Sequence, residues 1–148
     1  IEAAMAAARL GCKTILLTMN LDTVGQMSCN PSVGGPAKSQ LVKEVDALGG
    51  VMGICADATY VQLRMLNASK GPAVRALRAQ SDKAEYRAFA RHLVETEPNL
   101  KLRQTVVTRL LTDPVTKAVV GVVDSLGVTY EAPSLVITTG TFLNGRLW

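Results

Sequence analysis

Residues 1–19, IEAAMAAARLGCKTILLTM, join an alanine-rich run to a glycine and a short apolar run. Alanine has the highest helix propensity, so the pattern predicts a helix over residues 1–9. Gly11 is placed to end that helix, because helices often close on a left-handed glycine. The consecutive apolar residues of TILLTM (14–19) are typical of a buried parallel strand. This order is the second half of a βαβ unit, whose first strand and turn we expect upstream of Ile1.

The composition is that of a folded domain with an aliphatic core. The 148 residues are 48% hydrophobic and only 4% aromatic, which argues against a disordered chain. No apolar run is long enough to span a membrane, and the composition of the first residues leads us to expect no signal or transit peptide within this sequence. Because the sequence starts with Ile1 and stops at Trp148, we expect a segment of a longer protein.

Basic residues are concentrated in one part of the chain. Ten Lys and Arg residues and four Asp and Glu residues lie from Arg64 to Arg109, whereas the remainder holds six basic and eight acidic residues. This asymmetry suggests an anionic partner, either nucleic acid or a phosphorylated cofactor. A solvated helix face produces the same pattern and is the alternative interpretation.

Two helices are predicted within residues 36–95. One covers 36–48, with Pro36 at its first position, and the other runs from Pro72 to about Glu95. The second helix carries an apolar stripe at helical spacing, made of Tyr86, Phe89, Ala90, Leu93 and Val94. That stripe predicts the face of the helix that packs on the core.

The later part of the chain has the pattern of strands. It predicts an antiparallel β-meander over about 101–131, with turns at Asp113-Pro114 and at residues 125–127. A final apolar core strand is predicted over 134–139. Helices, a meander and a last core strand indicate an α/β nucleotide-binding domain with Rossmann-like topology.

Two loops share one design, SVGGPAKS (32–39) and SKGPAVRA (69–76). Each places Gly-Pro-Ala before a predicted helix, and the free N–H groups of a helix amino end attract anions. A lysine adds positive charge to each. The predicted phosphate-binding residues are Gly34, Gly35, Lys38, Lys70 and Gly71. In the alternative interpretation, Gly-Pro only starts each helix.

Cys29 is the candidate reactive thiol. It lies in MSCNPSVGG among turn-forming residues, close in sequence to a predicted helix amino end, which would favour the thiolate. Cys12 precedes a predicted strand and Cys55 lies in an apolar stretch, so both are predicted to be packing residues. Three cysteines without a CxxC pair or a histidine cluster predict no metal site and no disulfide framework.

The end of the last predicted strand is a second candidate for ligand binding. VITTGTF (136–142) ends that strand in Thr139, Gly140 and Thr141. Ligands of doubly wound sheets bind beyond the carboxyl ends of the strands, and a glycine there allows close approach. A plain exit from strand to loop has the same pattern.

These segments resemble the MnmG (GidA) family, flavoproteins that modify the wobble uridine of tRNA. The resemblance rests on LDTVGQMSCNPSVGGPAKSQLVKEVDALGG (21–50) and LNASKGPAVRALRAQSDKAEYR (66–87). EAAMAAARLG (2–11) and LVITTGTFLNG (135–145) match in the same order. The resemblance therefore covers essentially the whole chain.

The resemblance implies a Rossmann-like FAD-binding domain of the glutathione-reductase type with an inserted antiparallel meander. The first strand and the G-x-G-x-x-G turn are missing from this sequence, so we expect the segment alone to bind FAD weakly. It further implies NADH as reductant, tRNA as substrate, a partner GTPase and a homodimer. The implied compartment is the cytoplasm, or the mitochondrion in a eukaryote.

The resemblance also implies roles for single residues. Cys29 matches a family cysteine near the flavin and is the implied catalytic thiol. Val107 matches a backbone contact to the adenosine half of FAD, and residues 139–141 match the strand end beside the dinucleotide. A dinucleotide fold usually has an acidic residue for the ribose, roughly 20 residues after the glycine turn. Asn20 or Asp22 is expected to replace it here.

Two other functions fit the residues. The first alternative is a non-catalytic RNA-binding or interaction module that uses the basic region. The second is part of another FAD-dependent oxidoreductase of the same fold. An RNA-binding module loses affinity steeply as salt rises, whereas flavin retention depends mainly on the cofactor pocket. The Cys29 loop favours the tRNA-modifying family, because a general flavin dehydrogenase has no evident need for it.

Overall fold

A computed structural model describes residues 1–143 and 146, which form two compact units. The first unit is Ile1–Gln104, and the second begins at Thr105, whereas the sequence predicts one partial domain over 1–148. No helix within the described residues is long and apolar enough to cross a membrane.

The first unit is built on a parallel strand pair. Helix α1 (Glu2–Arg9) leads into strand β1 (Thr14–Thr18), as the sequence predicts. Gly11 takes a φ of +87° and donates its N–H to the carbonyl of Ala8 at 2.9 Å, which ends the helix. Strand β1 pairs in parallel with β5 (Leu100–Gln104). β5 therefore belongs to this sheet and not to the meander predicted over 101–131.

Helix α4 (Lys83–Thr96) supplies one wall of the core. The side chain of Asp82 caps it, accepting the N–H groups of Ala84 at 2.8 Å and Glu85 at 3.0 Å. The predicted apolar stripe faces inward, since three of its residues are buried and two are partly buried against the core. Met5 of α1 lies at the centre of the same core and is only 2% exposed.

A second, antiparallel sheet has the strand order β2-β4-β3. Its strands are β2 (Ser32–Gly34), β3 (Tyr60–Leu66) and β4 (Ala76–Ser81). Helices α2 (Ser39–Ala47) and α3 (Met52–Thr59) connect β2 to β3.

The carboxylate of Glu2 in α1 accepts the N–H groups that open α3. It lies 2.9 Å from the nitrogen of Val51 and 2.7 Å from that of Met52. Such a contact satisfies amides that lack a partner within the helix and places a negative charge at the positive end of its dipole. No local side chain caps α3, so a distant residue supplies the cap.

Two helix predictions are wrong in this region. The helix expected over 36–48 begins at Ser39, because Ala37 adopts a φ of +58° and residues 36–38 form a turn. The helix expected from Pro72 to about Glu95 is a 3₁₀ turn (Pro72–Val74), then strand β4, then α4. Pairing of β4 on both edges overrides the helix propensity of its alanine, leucine, arginine and glutamine.

The second unit contains the antiparallel meander. Its strands are β6 (Val107–Thr112), β7 (Val119–Asp124) and β8 (Thr129–Glu131), in that order. The core strand predicted over 134–139 is not formed, since these residues have no hydrogen-bonded partner strand among the described residues.

Asp124 holds the turn between β7 and β8. One carboxylate oxygen accepts the N–H groups of Leu126 and Val128, both at 2.9 Å. The other accepts the hydroxyls of Thr105 at 2.8 Å and Tyr130 at 3.1 Å. Burial disfavours the charged form, yet these hydrogen bonds outweigh it and hold the pKa of Asp124 below its ordinary value.

Candidate functional site

The two Gly-Pro loops lie at the same end of the second sheet. Gly34 pairs with Arg78 at the end of β2, and the next residue, Gly35, contacts Leu77. The 70–75 loop leads directly into Ala76, the first residue of β4, which pairs with the last residue of β3. The antiparallel register thus brings together two Gly-Pro-Ala segments that start 36 residues apart in sequence, at Gly35 and Gly71.

The first loop uses its glycines for packing. Gly34 has a φ of +91°, and a Cβ there would overlap the carbonyl oxygen of Leu77. The N–H of Gly35 donates to that same carbonyl at 2.8 Å. The carbonyl of Gly35 accepts the N–H groups of Lys38 and Ser39 at 3.0 and 2.9 Å. The Gly35 amide is therefore committed to the protein, which removes it from the predicted set of anion donors.

Hydrogen bonds within the second loop fix its conformation, while the backbone at Gly71 faces open space. The Asn67 carboxamide donates to the carbonyl of Val74 at 3.1 Å, and Arg75 donates to the carbonyl of Ala68 at 3.0 Å. Gly71 has a φ of +97°, and a Cβ built there meets no described atom within 4 Å. The Lys70 side chain is exposed beside it. This loop has the open backbone and free cation that the sequence predicts for both loops.

Cys29 lies at the opposite end of β2 from these loops. Its thiol is exposed, in the segment that precedes Ser32. Pro31, two residues after Cys29, accepts the N–H of Ser81 at 2.7 Å, at the far end of β4. The length of β2 therefore separates the thiol from the amino end of α2. Cys29 and this helix end are close in sequence but lie at opposite ends of β2, and the role of Cys29 as a reactive thiol stays a prediction.

The other two thiols differ from each other. Cys55 is 1% exposed, and its burial, with the nearby Glu2 carboxylate, raises the pKa of this thiol to about 11. It is a packing residue, as predicted. Cys12 is exposed, so its predicted burial is wrong.

Asn20 follows the carboxyl end of β1 and shapes the chain there. Its side-chain oxygen accepts the N–H of Asp22 at 2.8 Å, and the adjacent amide of Leu21 donates to Gln104 at 3.2 Å. The carboxylate of Asp22 is paired with Arg91 at 3.0 Å. Each of the two candidate ribose ligands therefore has one side-chain oxygen in a contact within the protein.

Arg91 lines a surface cavity of about 300 Å³ beside α4. Its hydrogen bond to Glu95 at 2.7 Å, with the Asp22 pair, raises the pKa of the guanidinium. With its charge balanced by two carboxylates, this part of the basic region is an ion-pair network. For this part of the basic region, the ion pairs of Arg91 favour the alternative interpretation, a solvated helix face.

The remaining predicted site residues lie in the second unit. Val107 opens β6, where it pairs with Asp124, and is 40% exposed. Thr139, Gly140 and Thr141 are exposed, Gly140 has a φ of +63°, and the carbonyl of Thr139 accepts the N–H of Phe142 at 3.3 Å. Residues 139–142 form a turn rather than the predicted end of a strand. No group of three His, Cys, Asp or Glu residues in 1–143 is placed to hold a metal ion.

A family model described as Glucose inhibited division protein A (GidA) matches residues 1–148. The chain belongs to the GidA family. The GidA chain is 58% identical over 147 residues to the tRNA uridine 5-carboxymethylaminomethyl modification enzyme MnmG of Exiguobacterium sibiricum. It is 56% identical over 147 residues to the enzyme of the same name from Synechocystis sp.. In each case the match covers 99% of this chain and 23% of the relative, so the chain spans about a quarter of their length.

Solved structures confirm the α/β fold. The GidA chain superposes on Aquifex aeolicus GidA with a TM-score of 0.92 and 50% identity, covering 97% of this chain and 24% of the other. A probable FAD-dependent monooxygenase from Pseudomonas aeruginosa gives a TM-score of 0.56 at 11% identity, covering 86% of this chain and 36% of the other. At that identity the likeness concerns the fold alone.

One further functional candidate was not predicted from the sequence, the arginine pair Arg64 and Arg78. They lie directly opposite each other on β3 and β4, and both are exposed. A period-two alternation in these segments is the signal that would have identified them. It went unrecognised because β3 was not assigned and β4 was assigned to a helix.

Proposed function

We propose that this chain is the FAD-binding segment of a longer enzyme that modifies C5 of the wobble uridine in tRNA. The observation that carries the proposal is the 58% identity over 99% of the chain to an enzyme named for tRNA uridine modification. The quoted Cys29 and Gly-Pro segments lie within that match. The alternative of an unrelated FAD oxidoreductase rests on likeness of fold only.

The residues at the sheet end fit a dinucleotide in charge and access. Lys70 and Lys38 are exposed cations suited to phosphate, and Gly71 leaves open space for close approach. Gly34 and Gly35 would shape the site rather than donate to the ligand, because their backbones pack against Leu77. Asn20 would donate its side-chain N–H to a ribose hydroxyl.

The proposal also assigns FAD contacts to residues of the second unit. Val107 would contact the adenosine half through its backbone, and residues 139–141 would approach the dinucleotide with an exposed turn. When bound, FAD supplies reversible redox chemistry that protein side chains lack. The protein residues would bind and orient it.

Cys29 is the proposed catalytic thiol. It is exposed in a polar loop, so substrate has access to its sulfur, and the loop is tied to β4 through Pro31 and Ser81. A thiol held this way would act as a nucleophile or redox group only as the thiolate.

The proposal extends to the partners of the longer protein. We infer that it uses NADH as reductant, works with a partner GTPase, forms a homodimer and acts in the cytoplasm. The basic and acidic residues of the chain, with a formal net charge of +4, are compatible with an RNA substrate.

Mass analysis of tRNA tests the proposal. Cells that lack the gene carrying this segment should lose the modified wobble uridine, and the intact gene should restore it. The purified full-length protein should have a flavin absorption spectrum. If the deleted cells still contain the modified wobble uridine, the proposed activity is refuted. If the purified protein is active but has no flavin absorption, only the assignment of FAD as cofactor is refuted.

Two cysteine variants of the full-length protein test the thiol. Cys29→Ser should retain FAD and lower tRNA modification by about 100-fold or more, as expected for loss of a nucleophile. Cys12→Ser is the matched control, since it also removes an exposed thiol, and it should modify tRNA normally. Equal activity of the two variants would reduce Cys29 to a loop residue.

A further inference from the structure

The hairpin formed by β3 and β4 carries positive charge without any acidic residue. From Tyr60 to Ser81 the sequence contains four basic residues and neither Asp nor Glu. The basic residues are Arg64, Lys70, Arg75 and Arg78. By contrast, the basic side chains of α4 lie among carboxylates, as the Arg91 ion pairs illustrate. The hairpin is therefore the part of the basic region whose charge is not balanced locally.

The strand register places two of these arginines side by side on the outward face. Arg64 and Arg78 are directly paired across β3 and β4, and Arg78 is paired on its other side with Gly34, which has no side chain. The adjacent row holds Ser32, Gln80 and Gln62. The opposite face carries Val33 and Ala79, which pack in the core.

The two adjacent positive charges of the arginine pair oppose folding, and no carboxylate of the described residues neutralises them. Like charges directly opposite on antiparallel strands destabilise a sheet. Neither guanidinium forms an ion pair with any Asp or Glu of the described chain, although Arg78 donates to the Ser32 hydroxyl at 3.0 Å. Each guanidinium group supplies a fork of N–H donors that phosphate oxygens accept.

The shape of this face favours a polymer over a small molecule. Small ligands bind in concave pockets, whereas these side chains project from an open sheet. Sheets do serve as platforms for single-stranded nucleic acid, with aromatic residues that stack on bases. The two rows that contain Arg78 and Gln80 hold no aromatic residue, so the contacts that these rows offer are to phosphates and not to bases.

We propose that the outward face of the β2-β4-β3 sheet, centred on Arg64 and Arg78, binds the phosphate backbone of the tRNA substrate. The inference rests on the proposed function, because it assigns the surface that holds the substrate of that enzyme. Binding there is independent of base sequence and serves to position the RNA.

Equilibrium binding of full-length protein to unmodified tRNA, measured over a series of KCl concentrations, tests the surface. Arg64→Gln/Arg78→Gln should weaken binding about ten-fold, and should reduce the slope of log affinity against log salt by about 1.5, which corresponds to two lost phosphate contacts. Arg64→Lys/Arg78→Lys should keep most of the slope. The matched control is Lys13→Gln/Lys43→Gln, which removes two exposed charges outside this face and should keep affinity and slope.

The outcomes separate the two proposals. If wild type binds tRNA and the glutamine variant binds with unchanged affinity and slope, the surface is wrong while the proposed function stands. If wild type does not bind tRNA, both are wrong. The flavin absorbance of each purified variant is measured in parallel, and loss of FAD with the glutamine pair would overturn the RNA assignment in favour of a cofactor contact.

Discussion

The two Gly-Pro-Ala loops share a tripeptide but differ in how the protein uses it. In the first, Gly34 and Gly35 pack against Leu77, and the following helix begins only at Ser39. In the second, Gly71 faces open space and leads into a 3₁₀ turn and a strand. A repeated motif therefore identifies a shared position at the end of a sheet, and the packing around each copy determines which groups remain free for a ligand.

The largest expected difference lies between adjacent glycines of the first loop. Gly34→Ala should destabilise the full-length protein by about 3–5 kcal/mol, because backbone strain adds to overlap with the Leu77 carbonyl. Gly35 has a similar φ of +97°, but a Cβ added there meets no described atom within 4 Å. We therefore expect Gly35→Ala to lower the free energy of unfolding by about 1–2 kcal/mol. Denaturant unfolding measures both, and equal losses would mean that the close packing at Gly34 is not restrictive.

The next effect concerns the lysines beside the loops. Lys70→Gln should weaken FAD binding to the full-length protein by about ten-fold, the loss of one charge-assisted contact. Lys38→Gln should have a smaller effect, about three-fold, because the backbone of its loop is already committed to the sheet. Flavin fluorescence titration measures both. A larger loss for Lys38 would reverse the comparison and make the packed loop the principal phosphate contact.

The smallest effect is expected at the prolines. Pro36→Ala and Pro72→Ala should each lower the free energy of unfolding by about 0.4–1 kcal/mol, mainly through greater freedom of the unfolded chain. Both prolines are exposed, so neither change opens a cavity. Denaturant midpoints of the two variants should therefore coincide. A loss confined to Pro36 would indicate that the turn before α2 depends on the ring itself.

The elements that were predicted correctly are those specified by helix propensity or by the spacing of apolar residues within one segment. The alanine run gave α1, Gly11 ended it, and the apolar stripe beginning at Tyr86 identified the inward face of α4. The parallel strand β1 was also predictable, since its centre is three consecutive apolar residues between two threonines. These features depend on propensity and periodicity, both of which are present in the sequence.

Features that depend on distant pairing were not predictable. β4 has a helix-forming sequence and is a strand because two neighbours pair with it. Residues 134–139 have a strand-forming sequence, yet no described strand pairs with them. In the candidate site, the charge at Lys38 and Lys70 was evident from sequence, but the use of the Gly35 amide and the separation of Cys29 from α2 depend on the register of β2.

That register also limits how the hairpin can change in length. Gly35 bonded to Leu77 and Asn67 bonded to Val74 fix where β4 begins. Moving β4 by one residue would turn Arg78 into the core and Ala79 into solvent. Insertions and deletions should therefore be accommodated at the tip, around Lys70 and Gly71, where the loop can grow outward without altering the alignment of the strands behind it.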